Sequence, residues 1–228
     1  MLLSFAYQPY LAIIGDIKGS KQLDNRAGIQ DHFRLILAEV NEQYSADIAS
    51  DFMITLGDEF QGLLKSGAHV MDILDRIERE LFPIRFRFGI GVGEITTAIH
   101  SHIPLGADGP AFYLARQQIE DLKSSEKKNK ESKRNIAIGI EGNEQVSALL
   151  NTIFSLQSVI KDAWTIRQVE IINAYLQGDG TQTGAAKMLK INQSNVQKAL
   201  AASNFYTYRN ALESVSALLS EIGGECHV

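Results

Sequence analysis

Asp16 and Asp58 are the carboxylates of this chain placed where chemistry is commonly done. Asp16 follows Leu11 to Gly15, an apolar run that reads as a buried strand opening into the tight loop Ile17-Lys-Gly-Ser-Lys21. Asp58 stands with Gly57 and Glu59 between two short apolar runs, residues 52–56 and 60–64, which predict a hairpin with Asp58 at its tip. With the first strand ending beside that tip, two negative charges about 4 Å apart repel by roughly 4 kcal/mol at an effective dielectric of 20. Such a pair calls for a cation or a proton. Mg²⁺ or Mn²⁺ is the economical occupant, because a divalent ion takes one or two carboxylates and completes its shell with water and substrate phosphates.

The loop after Asp16 extends the idea. The backbone from Ile17 through Lys18 and Gly19 to Ser20 can approach an anion closely, Ser20 adds a hydroxyl donor, and Lys18 and Lys21 add charge, so a triphosphate could sit there. Each feature alone has a plainer explanation. Gly-Asp at a hairpin is ordinary turn chemistry, and exposed lysines are usually just solvated. The combination is what favours a site.

These residues need elements to hold them. Apolar residues at three- and four-residue spacing predict a helix over residues 25–44 and another between Gly67 and Phe82, stopped by Pro83. Residues 84–92 alternate as a strand, with Ile84, Phe86, Phe88 and Ile90 on one face and Arg85, Arg87, Gly89 and Gly91 on the other. The second face suits the approach of a ligand, and a solvated face accounts for it nearly as well. For Arg85 and Arg87, phosphate contact and simple exposure are even alternatives. His100 and His102 flank Ser101 with no third ligand nearby, so a solvated pair is favoured over a metal site. A helix is expected over residues 111–122, a charged and nonperiodic solvated loop over 123–134, and a last strand over 135–141. This order predicts an α+β fold with a largely antiparallel sheet and helices on one face.

Beyond residue 142 almost everything reads as helix. Division is expected into a domain at 1–142, a helical linker at 143–162 and an all-α domain at 163–228. Thr165 is a plausible cap for a helix carrying Ile166, Val169, Ile172 and Leu176 on one face. Residues 181–189, the turn 190–192 and residues 193–202 then follow helix-turn-helix spacing, and the sequence resembles a bacterial transcription-factor motif. On that resemblance Gln193, Ser194, Asn195, Gln197 and Lys198 face the major groove, where Asn and Gln read adenine. Three-helix clusters are also common without DNA. The charge balance sharpens that alternative, because residues 151–228 hold six basic and six acidic side chains and would release few counterions unless a dimer doubled the contacts.

The chain has 228 residues, 45% of them hydrophobic and 21% charged, enough to bury a core. Its single cysteine, Cys226, excludes an intramolecular disulfide and a cysteine-based metal site. The net charge of −5 excludes a strongly basic nucleic-acid binder. Leu11 to Ile14 is too short to cross a bilayer and lacks a basic leader, so neither export nor membrane insertion is expected and a cytoplasmic location is.

Four segments share their order and approximate spacing with a known family: Gly15 to Ser20, Thr55 to Asp58, Phe88 to Gly93 and Gly109 to Arg116. Across about residues 10–141 they resemble the class III nucleotidyl cyclase catalytic domain, which implies a ferredoxin-like or palm-type sheet. The closer resemblance is to the SatD family of bacterial proteins, a divergent branch of that fold with a helical tail. The resemblance implies that Asp16 and Asp58 are metal ligands, that Ile17 to Ser20 form a phosphate loop, and that Arg116 is the catalytic arginine that stabilises the transition state. It also implies a homodimer, with Arg116 serving the partner's metals. Phe112 replaces the cyclase asparagine, and Ile54 and Ile103 stand at the purine-recognising positions, so base recognition and transition-state support lack their usual residues. Gly-Asp-Glu-Phe60 is similar to a diguanylate cyclase string, with only four residues in common. The implied function is a cytoplasmic regulator with a nucleotide- and metal-binding domain and a DNA-binding helix-turn-helix. An active metal-dependent cyclase or nucleotide hydrolase, and a non-catalytic protein-interaction module, are the alternatives.

Overall fold

The computed structural model describes residues 3–20, 26–128 and 134–223; Lys21 and Cys226 lie outside them. The chain forms two compact units, residues 1–155 with 215–228, and residues 156–214. The first holds β1 (Tyr10–Ile17), α1 (Arg26–Gln43), β2 (Ile48–Leu56), β3 (Glu59–Leu64), α2 (Val70–Glu80), β4 (Phe86–Gly93), α3 (Pro110–Lys128) and β5 (Ile136–Ile140). The helix α4 (Glu144–Asp162) runs from the first unit into the second, and α5 (Ile166–Gln177), α6 (Gln182–Leu189), α7 (Gln193–Ala202) and α8 (Phe205–Leu219) follow.

The five strands take the order β2-β3-β1-β4-β5, which puts β1 at the centre. β1 runs antiparallel to β3 and to β4, β2 antiparallel to β3, and β5 parallel to β4. Gly57, at φ +65, makes the tight β2–β3 turn, a backbone conformation that favours glycine, and the hairpin falls where the sequence places it.

Strand alternation gives the sheet two apolar faces. On one face Phe33 of α1 packs against Phe60 and Phe86, with ring centroids 5.1 and 5.4 Å apart, and α2 lies beside α1. On the other face Ala12, Ile14 and Leu63 meet Ala111, Phe112, Ala115 and Ile119 of α3. Helices on a single face were expected, and the structure covers both. Gly89 and Gly91 explain how. A Cβ on Gly91 would stand 1.9 Å from the Ala111 carbonyl oxygen, and one on Gly89 would stand 2.3 Å from that of Ala115. The glycine face of β4 therefore seats the backbone of α3 and does not admit a ligand. α3 also extends to Lys128, so residues 123–128 are helical where a loop was expected; 129–133 lie outside the described residues.

β5 ends the sheet, yet its outer edge is not left open. Asn151 of α4 accepts from the Ile138 N–H at 2.9 Å and donates to the Ile138 carbonyl at 2.8 Å, while Ser147 accepts from the Ile140 N–H at 2.9 Å. Two side chains thus take the hydrogen bonds a further strand would make.

In the second unit, Ile171, Ile172 and Tyr175 of α5, Ala185 and Ala186 of α6, Val196 and Leu200 of α7 and Phe205 of α8 form a buried cluster. Thr165 caps α5 as its sequence suggests, in a reciprocal capping box with Gln168. Among the described residues no helix is long and apolar enough to cross a membrane.

Candidate functional site at the exit of β1

Asp16 ends the row Ala12, Ile14, Asp16 that faces α3, and it is 5% exposed. In register it stands between Glu59 of β3 and Arg87 of β4. Directly opposed residues share a face, so Glu59, Asp16 and Arg87 form one charged row across three strands, beneath α3. Arg87 Nη1 donates to both Asp16 oxygens at 3.1 and 3.2 Å, and Lys123 Nζ of α3 lies 2.7 Å from Asp16 Oδ2. Arg87 turns its Nε and Nη2 to Glu126, which also holds Lys18 Nζ. Lys18 Nζ in turn donates to Asn135 Oδ1 at 2.6 Å.

The network sets the local charge states. Burial works to lower the Arg87 guanidinium, but the hydrogen bonds it donates to Glu126 and Asp16 and the charges of those carboxylates outweigh it and raise it above its usual range. Burial works to raise the Glu126 carboxyl, while hydrogen bonds from Arg87 and Lys18 hold it below its usual range. An unpaired carboxylate as buried as Asp16 costs several kcal/mol, and two fixed cations offset that cost.

The loop after Asp16 turns as the sequence suggests, with Gly19 at φ +66. The Ile17 N–H donates to the Asp58 carbonyl at 3.3 Å and the Lys18 N–H to the Arg85 carbonyl at 2.7 Å, so these two amides are already spoken for. Gly19 is exposed and Ser20 half-buried. Asp58 sits in the hairpin turn, half-buried, and the carboxylate sharing the Asp16 face is its neighbour Glu59. Glu59 Oε1 accepts from Arg116 Nη1 at 3.1 Å, which ties the hairpin to α3. His102 Nδ1 lies 2.9 Å from Asp51 Oδ2, and His100 forms a bridge with Ile103.

A divalent ion does not fit this arrangement. Both Asp16 oxygens are matched by Arg87 and Lys123, and among the described residues no group of three or more His, Cys, Asp or Glu side chains comes together. The repulsion that called for a metal is met from within the chain.

Beside this network, an open cavity of about 450 Å³ lies between α3 and β3, with Arg116 on its wall. Ile54 is half-buried on β2 and Ile103 is 52% exposed in the loop before α3; neither lines the cavity. Lys123 and Glu126 are the members of this network that the sequence reading missed. Their signal was present, since Arg116, Ile119, Lys123 and Glu126 continue helical spacing past Leu122 into the charged run. Gln61 was also missed, the one polar side chain in the run Phe60 to Leu64.

In the second unit Gln193, Ser194, Asn195, Gln197 and Lys198 are all exposed on α7. Gln193 Nε2 donates to Gln182 Oε1, and Gln182 Nε2 donates to the Tyr206 hydroxyl at 2.9 Å, so Gln193 also has a structural role at the start of α7.

Comparison with known proteins found the SatD family, whose model matches residues 10–219. No curated protein matched. Among solved structures, a bacterial light-regulated adenylyl cyclase matches at 12% identity and a TM-score of 0.41, covering 57% of this chain and 74% of the other. The adenylyl cyclase CyaB from P. aeruginosa matches at 13% identity and 0.39, covering 62% and 81%. The monomeric guanylyl cyclase domain of a rhodopsin fusion protein from the aquatic fungus Blastocladiella emersonii matches at 14% identity and 0.34, covering 49% and 74%.

Proposed function

The chain belongs to the SatD family, and from that premise we propose that it is a cytoplasmic regulatory protein whose first unit binds a nucleoside triphosphate or related nucleotide and whose second unit binds DNA. The supporting observation is the grouping of Lys18, Arg87, Lys123 and Arg116 along the α3 side of the sheet, around the exit of β1 and beside an open cavity. A cleft with a few convergent polar groups is the usual form of a small-molecule site, and fixed cations suit phosphate. Gly19 and Ser20 supply the approach for the phosphates, and Arg116, held by Glu59, is the group that would meet a transferred phosphoryl if the nucleotide were turned over.

The exposed face of α7 supports the DNA reading, with Asn195 and Gln197 able to reach base edges and Lys198 a phosphate. A homodimer would double those contacts, which a charge-neutral segment needs.

The test is calorimetric titration of the full chain with ATP, GTP, CTP and UTP, with and without Mg²⁺, alongside an assay for cyclic or hydrolysed product. Binding without product supports the regulator. Binding with product makes the protein an enzyme, and no binding by any of the four sinks the nucleotide reading.

A further inference from the structure

The cavity beside α3 has an amide on its wall. Gln61 of β3 stands opposite Ile14, so its side chain faces the α3 side of the sheet. It is 6% exposed and lines the cavity, and among the described residues its side chain makes no hydrogen bond. Among the described residues no buried side-chain polar atom lacks a partner, so the polar atoms of Gln61 are reached from the open cavity, where a ligand can take the place of the water that bonds them.

The other walls say what that something is. Phe112 and Tyr113 contribute aromatic surface, and the Tyr113 hydroxyl donates to Asp108 Oδ2 at 2.7 Å, which fixes the ring. Asp108 and Glu120 against Arg116 leave the lining with more acid than base, which disfavours phosphate in the cavity and favours a neutral ring bearing N–H donors. An amide offers a donor and an acceptor side by side, the complement of the N6 and N7 edge of adenine. An aromatic face also gives a base a surface on which to stack.

We propose that Gln61 reads the base of an adenine nucleotide in this cavity, a specificity role at a position other than Ile54 and Ile103. This rests on the nucleotide-binding reading, and the phosphates would lie outside the cavity, toward Lys18 and Lys123.

The experiment titrates the full chain separately with adenosine, purine riboside, which lacks the 6-amino group, and inorganic tripolyphosphate, using wild type, Gln61→Leu and Gln61→Met. Wild type should bind adenosine at least tenfold more tightly than purine riboside. Both variants should lose that discrimination while keeping wild-type melting and tripolyphosphate affinity. Equal discrimination in wild type and variants overturns the proposal, as does tripolyphosphate binding with no adenosine binding, which leaves the nucleotide reading standing. Discrimination by Gln61 with no tripolyphosphate binding supports the cavity assignment and overturns the phosphate half of the nucleotide reading. Two variants guard against one that fails to fold, because Met keeps the length of Gln and Leu its branching volume.

Discussion

Lys123 Nζ of α3 sits 2.7 Å from Asp16 Oδ2 at the end of β1, a contact between residues 107 positions apart that closes the charged row from above. With Arg87 on the same carboxylate, the place where a divalent ion would bind holds fixed protein cations. In Mn²⁺ titrations followed by electron paramagnetic resonance, wild type and Asp16→Asn should leave the same amount of Mn²⁺ free at millimolar concentration. Stoichiometric binding lost on Asp16→Asn would show that the metal displaces Lys123.

Arg87 is the hub of this network, and removing it strands Asp16 and Glu126 together. Arg87→Met should destabilise the first unit by about 3 kcal/mol, the scale for breaking a buried charge pair, measured by denaturant unfolding. A loss under 1 kcal/mol would mean that Lys18 and Lys123 carry the network alone.

Glu126 makes part of that stability depend on acidity. Its carboxyl lies below its ordinary range in the fold, so its contribution is full above the unfolded value and lost as the pH falls through the lower folded value. Thermal melting should therefore decline in acid more steeply for wild type than for Glu126→Gln. Parallel curves would remove Glu126 from the account.

Gly91→Ala forces a methyl against the Ala111 carbonyl, where backbone rather than a flexible side chain must give way. The cost should be about 3 kcal/mol or more, with α3 displaced and both Arg116 and Lys123 moved from their partners. Nucleotide titration of this variant should show weakened binding even though residue 91 touches no ligand. Unchanged stability would show that α3 can lift without loss.

Asn151→Ala removes the side chain that satisfies Ile138 on both its donor and its acceptor. Stability should fall by about 1–3 kcal/mol, and the freed edge of β5 should make sedimentation concentration-dependent.

Much of the first unit could be read from residue patterns. Apolar runs placed β1 and the β2–β3 hairpin, and period-3.6 and period-two spacing placed α1, α2 and β4, all within a few residues, because burial of apolar side chains enforces both patterns. The Thr165 cap was equally legible, since its chemistry is confined to one turn of helix. The run after Leu122 misled for a physical reason. Charged side chains in a helix register no hydrophobic period, so Lys123 and Glu126 resembled a solvated loop until their partners on β1, β4 and the segment before α1 were in place.

What the sequence determined by itself was therefore local: which segments are strands or helices, where the turns fall, and that Asp16 lies at the mouth of a loop. Which groups answer the charge of Asp16 was decided only by tertiary structure. A carboxylate's partners are set by distance through space, and the register of β1 against β3 and β4 brought Glu59 and Arg87 beside it. The same holds for Gln61. Its place in an apolar strand was visible from the start, but only the packing of α3 on one half of the sheet left the cavity into which its amide opens.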